Sequence, residues 1–357
     1  MRLLILNYGS SNLKYALWEN DRFSERKKVG FSTEKDLREI LKEIKNKNEG
    51  LKAILHRVVH GGDLKEPTLI TEKIKEKIKE MLPFSPIHNK YALIGIEIFE
   101  SLNIPQIAIF DTAFHSTIPE YAKIYPLPYS LYKKGIKRYG FHGISYSFVL
   151  DKLKEILRKE SPNAILLHLG GGCSICAVKE GKSIDTSMGL TPLEGLMMRA
   201  RSGDIDPGFI LYMLKEGKSP EEVENLLTKK SGFLGLTETG DVNLIVERFK
   251  KGDKKAEIAL KVFTYRIKKY IGAYFAILKD IEAITFSGGI GENSPLIREM
   301  ICEDLDHLGI KIDKEKNRRN EFEISSGKIR IFVVKTDEEL QMVKTLAKGK
   351  LWTLILS

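Results

Sequence analysis

The stretches LLILNYGSSNLKYA at residues 3–16 and ILLHLGGGCSICAV at residues 165–178 share one pattern. Each has a short apolar run, a polar residue, a turn of small residues and then a second run. Asn7 in the first stretch corresponds to His168 in the second. Turns of small residues allow backbone N–H groups to approach an anion closely. Two such turns at matched spacing predict a duplicated domain that binds a phosphorylated ligand.

The length and composition indicate a globular protein of two domains. With 357 residues, the chain is long for a single hydrophobic core. Its hydrophobic share of 42% is ordinary for such proteins, and no apolar run approaches the roughly 20 residues that a membrane-spanning helix needs. Met1-Arg2 leads directly into a predicted strand, without the pattern of a signal peptide. We therefore expect a cytoplasmic protein with no membrane partner.

The net charge of +10 raises the alternative of a nucleic-acid-binding protein. Most lysines, however, lie in mixed runs such as TEKIKEKIKE at residues 71–80, which is typical of the solvated face of an amphipathic helix. We therefore interpret the charge as a surface rich in lysine and glutamate, with a basic site for anions. On this interpretation we expect no nucleic acid partner.

The cysteines do not indicate a disulfide framework, because Cys173, Cys176 and Cys302 are few and odd in number. The first two form a C-x-x-C, for which a redox or metal site is the functional alternative. The redox motif normally opens a helix, whereas this one lies in a predicted strand. No cysteine or histidine cluster in the sequence has zinc spacing. We therefore predict two small buried side chains.

The hydrophobic periodicity predicts an α/β pattern throughout. A turn is predicted at 21–24, a surface excursion at 118–138 and a long functional loop at 187–208. The predicted strands lie at 2–7, 13–18, 51–59, 106–110, 165–178 (a hairpin), 281–286 and 328–334, and the predicted helices at 34–47, 90–100, 144–160, 255–279 and 336–346.

A third glycine-rich turn, Gly288-Gly289-Ile290-Gly291, follows a predicted strand and precedes a predicted helix. Such a turn is a candidate site for the phosphates or ribose of a nucleotide. Glycines at this place also allow a strand and a helix to pack closely, with no ligand involved. The presence of two other such turns in the chain favours the nucleotide site.

Arg57 and Arg201 are candidate anion-binding residues. Arg57 lies within a mostly apolar strand, and Arg201 lies in the segment RSGDIDPG at residues 201–208. The planar guanidinium matches a carboxylate or a phosphate. Each arginine alone also fits a structural ion pair, and Asp204 and Asp206 are available partners for Arg201.

Two carboxylates, Asp111 and Glu338, are candidate metal-binding residues. Asp111 follows a predicted strand, and Glu338 lies in the first turn of a predicted helix. Either side chain is suited to a hydrated Mg²⁺, and either is equally suited to a turn or a helix cap. His142 and His168 both border glycine turns, which favours them over the other histidines as site residues.

Seven segments of the chain together resemble the acetate kinase family. They occur in the family's order, and the stretch 185–208 is highly specific. The segments are N-x-G-S-S-x-L-K at 7–14, HRVVHGG at 56–62, FDTAFH at 110–115, YGFHG at 139–143, DTSMGLTPLEGL at 185–196, RSGDIDPG at 201–208 and GIGENS at 289–294.

The resemblance implies an α/β fold of two duplicated actin-like, ribonuclease H-like domains of the ASKHA superfamily. The active site would lie in the cleft between them. We expect residues 1–146 to form the N-terminal domain, with 336–357 packing back on it. Residues 147–335 would form the C-terminal, nucleotide-binding domain. The family also implies a homodimer.

The resemblance also implies a reaction, the reversible transfer of the γ-phosphoryl group of ATP to acetate. The products would be acetyl phosphate and ADP, formed by direct in-line transfer that depends on Mg²⁺ or Mn²⁺. Such an enzyme is a phosphotransferase with a carboxyl group as acceptor. The alternatives are a propionate or butyrate kinase of the same family and a non-catalytic actin-like module that binds ATP.

The family's functional residues match positions throughout the chain. Asn7 and Glu338 would lie around the metal, and Ser10 and Lys14 near the nucleotide phosphates. The catalytic set implied by the resemblance is Arg57, Asp111, His142 and Arg201, in which the two arginines clamp the carboxylate and the phosphoryl group. The acyl tail would contact Val59, Ile87, Phe141 and Pro192. The nucleotide would be held by His168-Leu169-Gly170-Gly171-Gly172, Asp241-Val242-Asn243 and Gly289-Ile290-Gly291-Glu292-Asn293.

Several positions depart from the family's pattern. Asn12 stands where serine is usual, Gly171 where asparagine is usual, and Lys90 where proline is usual. Arg199 stands in place of a glycine, and Asn243 in place of an arginine. These departures leave the acyl-chain length and the nucleotide preference open. We expect Arg199 either to shift substrate choice near the acyl site or to pair with the acidic residues of its loop.

Overall fold

The computed structural model describes residues 1–356, which divide by their internal contacts into two compact units. Unit 1 comprises Met1–Ser116, Phe141–Phe148 and Asp337–Ser357, and unit 2 comprises Thr117–Gly140 and Val149–Thr336.

The segment 117–140, which the sequence placed in the first domain, groups with unit 2. The reason lies in its hydrogen bonds. The Arg138 guanidinium donates to the carbonyl of Thr186 at 2.9 Å and to a carboxylate oxygen of Glu194 at 2.5 Å. The N–H groups of Tyr139 and Gly140 both donate to the carbonyl of Gly189.

Each unit is built on one mixed β-sheet. The strands of unit 1 are β1 Arg2–Tyr8, β2 Asn12–Glu19, β3 Arg22–Gly30, β4 Ala53–Val58, β5 Thr68–Leu69 and β6 Gln106–Phe110, in the order β3-β2-β1-β4-β6-β5. The strands of unit 2 are β7 Ala164–Leu169, β8 Cys173–Lys179, β9 Lys182–Thr186, β10 Ala283–Ser287 and β11 Arg330–Val333, in the order β11-β10-β7-β8-β9.

The two sheets repeat one topology. In each, three consecutive antiparallel strands are followed in space by two strands parallel to the first. The series β3-β2-β1-β4-β6 therefore corresponds strand for strand to β9-β8-β7-β10-β11. This confirms the α/β class and the duplication that the two glycine hairpins predicted.

Helices cover the sheets, and none of those described is both long and apolar enough to cross a bilayer. In unit 1 they are α1 Glu34–Lys47, α2 Glu72–Glu80, α3 Pro86–Phe99, α15 Glu338–Ala347 and α16 Lys350–Leu356, and α6 Gly143–Leu157 begins there. In unit 2 they are α4 Glu120–Lys123, α5 Tyr129–Lys133, α7 Pro207–Lys215, α8 Pro220–Lys229, α9 Gly232–Thr237, α10 Val242–Lys250, α11 Lys254–Ile277, α12 Gly288–Asn293, α13 Pro295–Cys302 and α14 Lys314–Arg318.

Strand β3 is one of several elements that the sequence did not predict, together with β5, β9 and the helices α7 to α10. The expected turn at 21–24 is shorter, because Asn20 and Asp21 take positive φ angles of 48° and 60° and the chain pairs again from Arg22. Since β3 lies at the edge of the sheet with mostly exposed residues, its sequence RFSERKKVG carries few apolar positions to signal a strand.

Strand β1 is buried on both faces, because its alternate side chains enter two different cores. Leu4 and Leu6 pack in a cluster with Phe99 of α3. Leu3 and Ile5 pack on the other face with residues of α15 such as Met342. Parallel strands covered by helices on both faces read as continuous apolar runs, which explains the strong signal of this segment.

The three cysteines are buried and free. Cys173 and Cys176 lie in β8, and burial raises the pKa of the Cys173 thiol to about 12. A thiol with so high a pKa is unreactive at neutral pH. The structure therefore agrees with two structural thiols in a strand.

The core of unit 1 contains a buried histidine, His56, held in one tautomer. Tyr8 donates its hydroxyl to Nδ1 at 2.9 Å, and Nε2 donates to the side-chain oxygen of Gln106 at 2.8 Å. Burial lowers the pKa of His56 to about 3. The imidazole is therefore neutral in the folded chain at any pH above this value.

We predict that His56 makes unit 1 less stable in mild acid. The unfolded chain protonates this histidine near pH 6.5 and the folded chain near pH 3, so the unfolded state binds more protons between these values. Stability should fall as the pH falls through this range, by about 2 kcal/mol between pH 7 and pH 5. Urea unfolding should show this loss in the wild type and in the His307→Gln control, but not in His56→Gln. An equal loss in His56→Gln would contradict the assignment.

Candidate active site

Three polar side chains of unit 1 meet at one edge of its sheet. Asn7 lies near the end of β1, Arg57 near the end of β4, and Asp111 directly after β6. These strands are parallel neighbours, and the register pairs Leu6 with His56 and Val58 with Phe110. The carboxyl ends of the three strands therefore bring these side chains together, as the sequence position of Asp111 predicted.

Arg57 is the centre of this cluster. Its Nη2 donates to one carboxylate oxygen of Asp111 at 2.6 Å, and its Nε donates to the other at 3.3 Å. Its Nη1 donates to the Asn7 side-chain oxygen at 2.9 Å. The side chains of Arg57 and Asp111 are 12% and 1% exposed, so this two-point contact is almost fully withdrawn from water. The guanidinium is thus fixed in orientation as well as in position.

Helix α15 brings two carboxylates to the same place. The Asn7 amide donates to an oxygen of Glu338 at 2.8 Å and to an oxygen of Glu339 at 2.6 Å. Arg57 and Lys14 approach the same Glu338 oxygen at 3.7 and 3.9 Å. Lys14 reaches this point because it pairs with Asn7 across the first hairpin.

The charges of the cluster compensate one another. Burial raises the pKa of Asp111 above its ordinary value, whereas the adjacent Arg57 acts to lower it. Burial alone would lower the pKa of Arg57, but Asp111 and Glu338 outweigh this, and the net direction is upward. The guanidinium of Arg57 is therefore a permanent cation.

His142 directly precedes α6, whose first two residues contact Asp111. It takes a left-handed backbone conformation with φ of 59°, which is uncommon for a residue with a side chain. The next residue, Gly143, packs so closely on Asp111 that a Cβ would overlap the Asp111 carbonyl oxygen. The N–H of Ile144 donates to the Asp111 carboxylate. His142, with its strained backbone, thus directly precedes the two residues that contact Asp111, and such strain is common at functional sites.

A divalent metal ion fits the oxygen donors of this cluster. Among residues 1–356, no group of three or more His, Cys, Asp or Glu side chains has the arrangement of a complete metal site. Glu338 and Glu339, with the Asn7 side chain that joins them, are two carboxylates and one amide on one spot. Mg²⁺ is usually held by one or two carboxylates, its other positions being filled by water and phosphate oxygens. These three side chains therefore suit a metal ion whose remaining ligands are water and the phosphate oxygens of a nucleotide.

The predicted acyl-binding residues are divided between the units. Val59 and Phe141 are buried in unit 1, and Ile87, in the first turn of α3, is 38% exposed. Phe141 packs edge to face on His60, with ring centroids 5.4 Å apart. Pro192 lies in the long loop of unit 2, and its carbonyl accepts a hydrogen bond from Arg201 at 3.1 Å.

Arg201 in unit 2 has no carboxylate partner among the described residues. Its Nη1 contacts the Pro192 carbonyl and the sulfur of Met198. Asp204 and Asp206, the partners that a structural ion pair would have used, are engaged elsewhere. Asp204 accepts from Tyr270 and the N–H of Gly195, and Asp206 caps α7. Burial lowers the pKa of Arg201, as expected for a cation without a nearby anion.

Two glycine turns of unit 2 lie side by side. A Cβ on Gly170 would lie 3.7 Å from His168 Nε2 and 3.8 Å from the backbone N of Gly289. A Cβ on Gly171 or on Gly289 would meet no atom within 4 Å. The backbone is therefore open to a ligand at both turns.

Several residues predicted to hold the nucleotide also maintain the loops themselves. Glu292 accepts from the N–H of Gly288 and from Thr336, and Asn293 donates to the carbonyl of Gly289. Asp241 caps α10 by accepting from the N–H of Asn243. Ser10 is exposed in the first hairpin, in unit 1.

Sequence reasoning missed two contributors to the site. Glu339 was not predicted, although two consecutive carboxylates in the first turn of a helix are a signal for it. The hydrogen bond from the backbone N–H of Ile144 to Asp111 could not be predicted from the sequence, because a backbone N–H group does not depend on the type of residue.

The comparisons with known proteins agree with this architecture. The model of the acetokinase family matches residues 24–344. The acetate kinase of Dictyoglomus turgidum is 43% identical, over 96% of this chain and 96% of that protein. A propionate kinase from Francisella tularensis has a TM-score of 0.89 at 38% identity, over 96% of this chain and 98% of that one. The acetate kinase of Porphyromonas gingivalis has a TM-score of 0.86 at 34% identity, over 97% and 99%.

The fold and the family match together define a phosphotransferase that acts on carboxylates. The chain belongs to the acetokinase family, which confirms the resemblance seen in its motifs. Membership implies ATP or ADP as co-substrate and a divalent metal.

We predict that Arg57→Ala destabilises unit 1 by about 3–5 kcal/mol, because it leaves the buried carboxylate of Asp111 without its cation and removes one of the two cations beside Glu338. Urea unfolding at neutral pH measures this loss. Arg38→Ala is the matched control, since Arg38 forms a half-exposed pair with Glu34 on α1 and should change the midpoint little. Equal effects of the two substitutions would show that the Arg57 cluster is not a buried ion pair of consequence.

Proposed function

We propose that this chain is an acetate kinase that transfers the γ-phosphoryl group of ATP reversibly to acetate. The observation that carries the proposal is the contrast between the two arginines of the family's motif. Arg57 is neutralised and oriented by carboxylates, whereas Arg201 is held with none among the described residues. An oriented guanidinium suits a carboxylate substrate, and a guanidinium without a partner suits the charge of a phosphoryl group in transfer.

The acceptor determines what the site must supply. Acetate is already ionised at neutral pH, so its attack on phosphorus needs no strong base. The requirements are in-line alignment and compensation of negative charge. On this proposal Arg57 orients the acetate carboxylate, Arg201 stabilises the phosphoryl group, and His142 donates a hydrogen bond to its oxygens. Asp111 acts by holding Arg57 in place.

We propose Mg²⁺ as the metal, held by Glu338, Glu339 and the side-chain oxygen of Asn7. When bound, Mg²⁺ would neutralise charge on the phosphate oxygens and draw electrons from phosphorus. Turning the Asn7 oxygen toward the metal would exchange its bond from Arg57 for one to the ion. Lys14, beside Glu338, would contact the phosphates directly.

The nucleotide is assigned to the two open glycine turns and the segment 241–243. The open backbone at Gly171 and Gly289 supports this assignment, because phosphates bind where backbone N–H groups are uncovered. The open backbone thus supports the predicted nucleotide contact at the glycines, and we propose that Ile290 and Glu292 shape the turn.

Propionate kinase is the second candidate, supported by the likeness to the Francisella tularensis structure. One methylene in an apolar pocket changes discrimination by about 1–3 kcal/mol. Val59 and Phe141 are apolar side chains that suit the tail of either acid. The values of kcat/KM for acetate, propionate and butyrate, measured side by side, rank them.

We predict that Arg201→Ala lowers kcat by about 10²–10³-fold, because it removes charge stabilisation in the transition state. It should leave stability nearly unchanged, since no ion pair is lost. Trapping of acyl phosphate by hydroxylamine measures the rate, and Arg319→Ala, at an exposed arginine of unit 2 that pairs with Glu321, is the control. Wild-type protein that binds ATP but yields no trapped product with any short acid would instead be a non-catalytic ATP-binding module.

The cytoplasmic location stays a prediction. We further propose that the chain forms a homodimer in which the two copies contact each other through α7. None of the nine residues of α7 is buried, although Phe209, Leu211, Tyr212 and Leu214 are large and apolar. A helix with so much exposed apolar surface is typical of an interface. In light scattering, Leu211→Glu should yield monomers and Tyr121→Glu, a substitution at a lone exposed tyrosine, should not. A dimer that persists in Leu211→Glu would exclude this face.

A further inference from the structure

Arg199 lies in the loop between β9 and α7, and its backbone is fixed on both sides. Its N–H donates to the carbonyl of Gly171 at 3.3 Å, and its carbonyl accepts from the N–H of Leu234 at 2.9 Å. The first bond attaches the residue to the glycine turn at 170–172, and the second attaches it to α9. Arg199 therefore has a defined place beside the turn.

The side chain of Arg199 extends along the backbone of Gly240. A Cβ on Gly240 would lie 2.6 Å from Cγ and 2.8 Å from Nε of the arginine. No side chain fits at position 240 unless Arg199 moves. Because Gly240 directly precedes Asp241, the arginine links the glycine turn to the segment 241–243.

The guanidinium of Arg199 makes no hydrogen bond or ion pair with any residue in the described part of the chain. Our expectation that it would pair with the acidic residues of its loop is therefore wrong. Asp204 and Asp206 are engaged with Tyr270 and with the start of α7. An exposed arginine whose backbone is fixed and whose charge is unpaired is available to an external anion.

The open surface beside Arg199 is made of glycine backbone. Gly171, which accepts the bond from Arg199, has no atom within 4 Å of where its Cβ would be, and neither has Gly289 on the adjacent turn. An extended polyanion on these turns would thus have a cation at one side. Among the described residues, no aromatic ring makes a cation–π contact with Arg199. Its guanidinium N–H groups can therefore donate to the oxygen atoms of a ligand.

We propose that Arg199 binds the phosphate chain of the nucleotide, and this rests on the proposed phosphotransfer function. The charge takes the place of the arginine that the family pattern has at position 243, where this chain has asparagine. The side chain of Arg199 lies against Gly240, next to the segment 241–243. Arg199 is then a nucleotide-binding residue particular to this chain, and not a determinant of the acyl group.

Calorimetric titration of ADP in the absence of any carboxylate tests the proposal on the intact chain. Loss of a charge-assisted hydrogen bond should raise the Kd of ADP about tenfold or more in Arg199→Ala. The Kd of adenosine, measured by competition, should change less than about twofold, because adenosine has no phosphate. In turnover, the KM of ATP should rise while the KM of acetate stays constant.

Two further variants serve as matched tests. Gly240→Ala keeps the charge but displaces the arginine, so it should also raise the Kd of ADP. Arg22→Ala removes the same charge from an exposed arginine of β3 whose side chain has no hydrogen-bond or ion-pair partner among residues 1–356, and it should leave the Kd of ADP unchanged. Thermal unfolding of each variant verifies that the fold is retained.

An unchanged Kd of ADP in Arg199→Ala would overturn the proposal, as would an equal loss for adenosine or a rise confined to the KM of acetate. Failure of the proposed function has a different signature. In that case the wild type forms no acetyl phosphate, while the effect of Arg199 on ADP binding is still measured.

Discussion

The two-point contact between Arg57 and Asp111 organises the polar cluster at the strand ends of unit 1. Both side chains are nearly free of water, so each is stable there only as long as the other is present. Through its remaining nitrogen, Arg57 also fixes Asn7, and Asn7 in turn holds Glu338 and Glu339. Asp111 also accepts a hydrogen bond from the N–H of Ile144 at the start of α6, the helix that directly follows His142. One ion pair thus connects three strands and two helices.

The two units use the same sheet topology for different chemistry. In unit 1 the ends of the parallel strands carry Asn7, Arg57 and Asp111, which are charged or polar. In unit 2 the equivalent ends of β7 and β10 lead into glycine turns, where the backbone itself is the exposed group. On the proposed function the first arrangement serves acetate and the metal, and the second serves the nucleotide. The two units thus share one sheet topology, and the different residues at their strand ends give them different proposed roles.

Much of this could be predicted from the sequence, because buried strands and polar strand ends leave local signals. The strand at 106–110 and the helix at 34–47 have the predicted bounds, and the duplication was evident in two matched hairpins. Strand β3 had no signal, since an exposed edge strand needs no apolar residues. The pairing of Arg57 with Asp111, 54 positions apart, depends on the folded chain, and so does the lack of a carboxylate partner for Arg201 among residues 1–356. Periodicity in the sequence contains no information on such contacts.

The central claim is that Asp111 acts through Arg57 and not as a base. A double-mutant cycle on kcat for acetyl phosphate formation tests it directly, with Arg57→Ala, Asp111→Asn and the double variant. If Asp111 serves to orient Arg57, its substitution should matter little once Arg57 is gone, and the two effects should fall short of additivity by about 1–3 kcal/mol. Full additivity of the two effects would contradict the account, because it would give Asp111 a role in the reaction that is independent of Arg57.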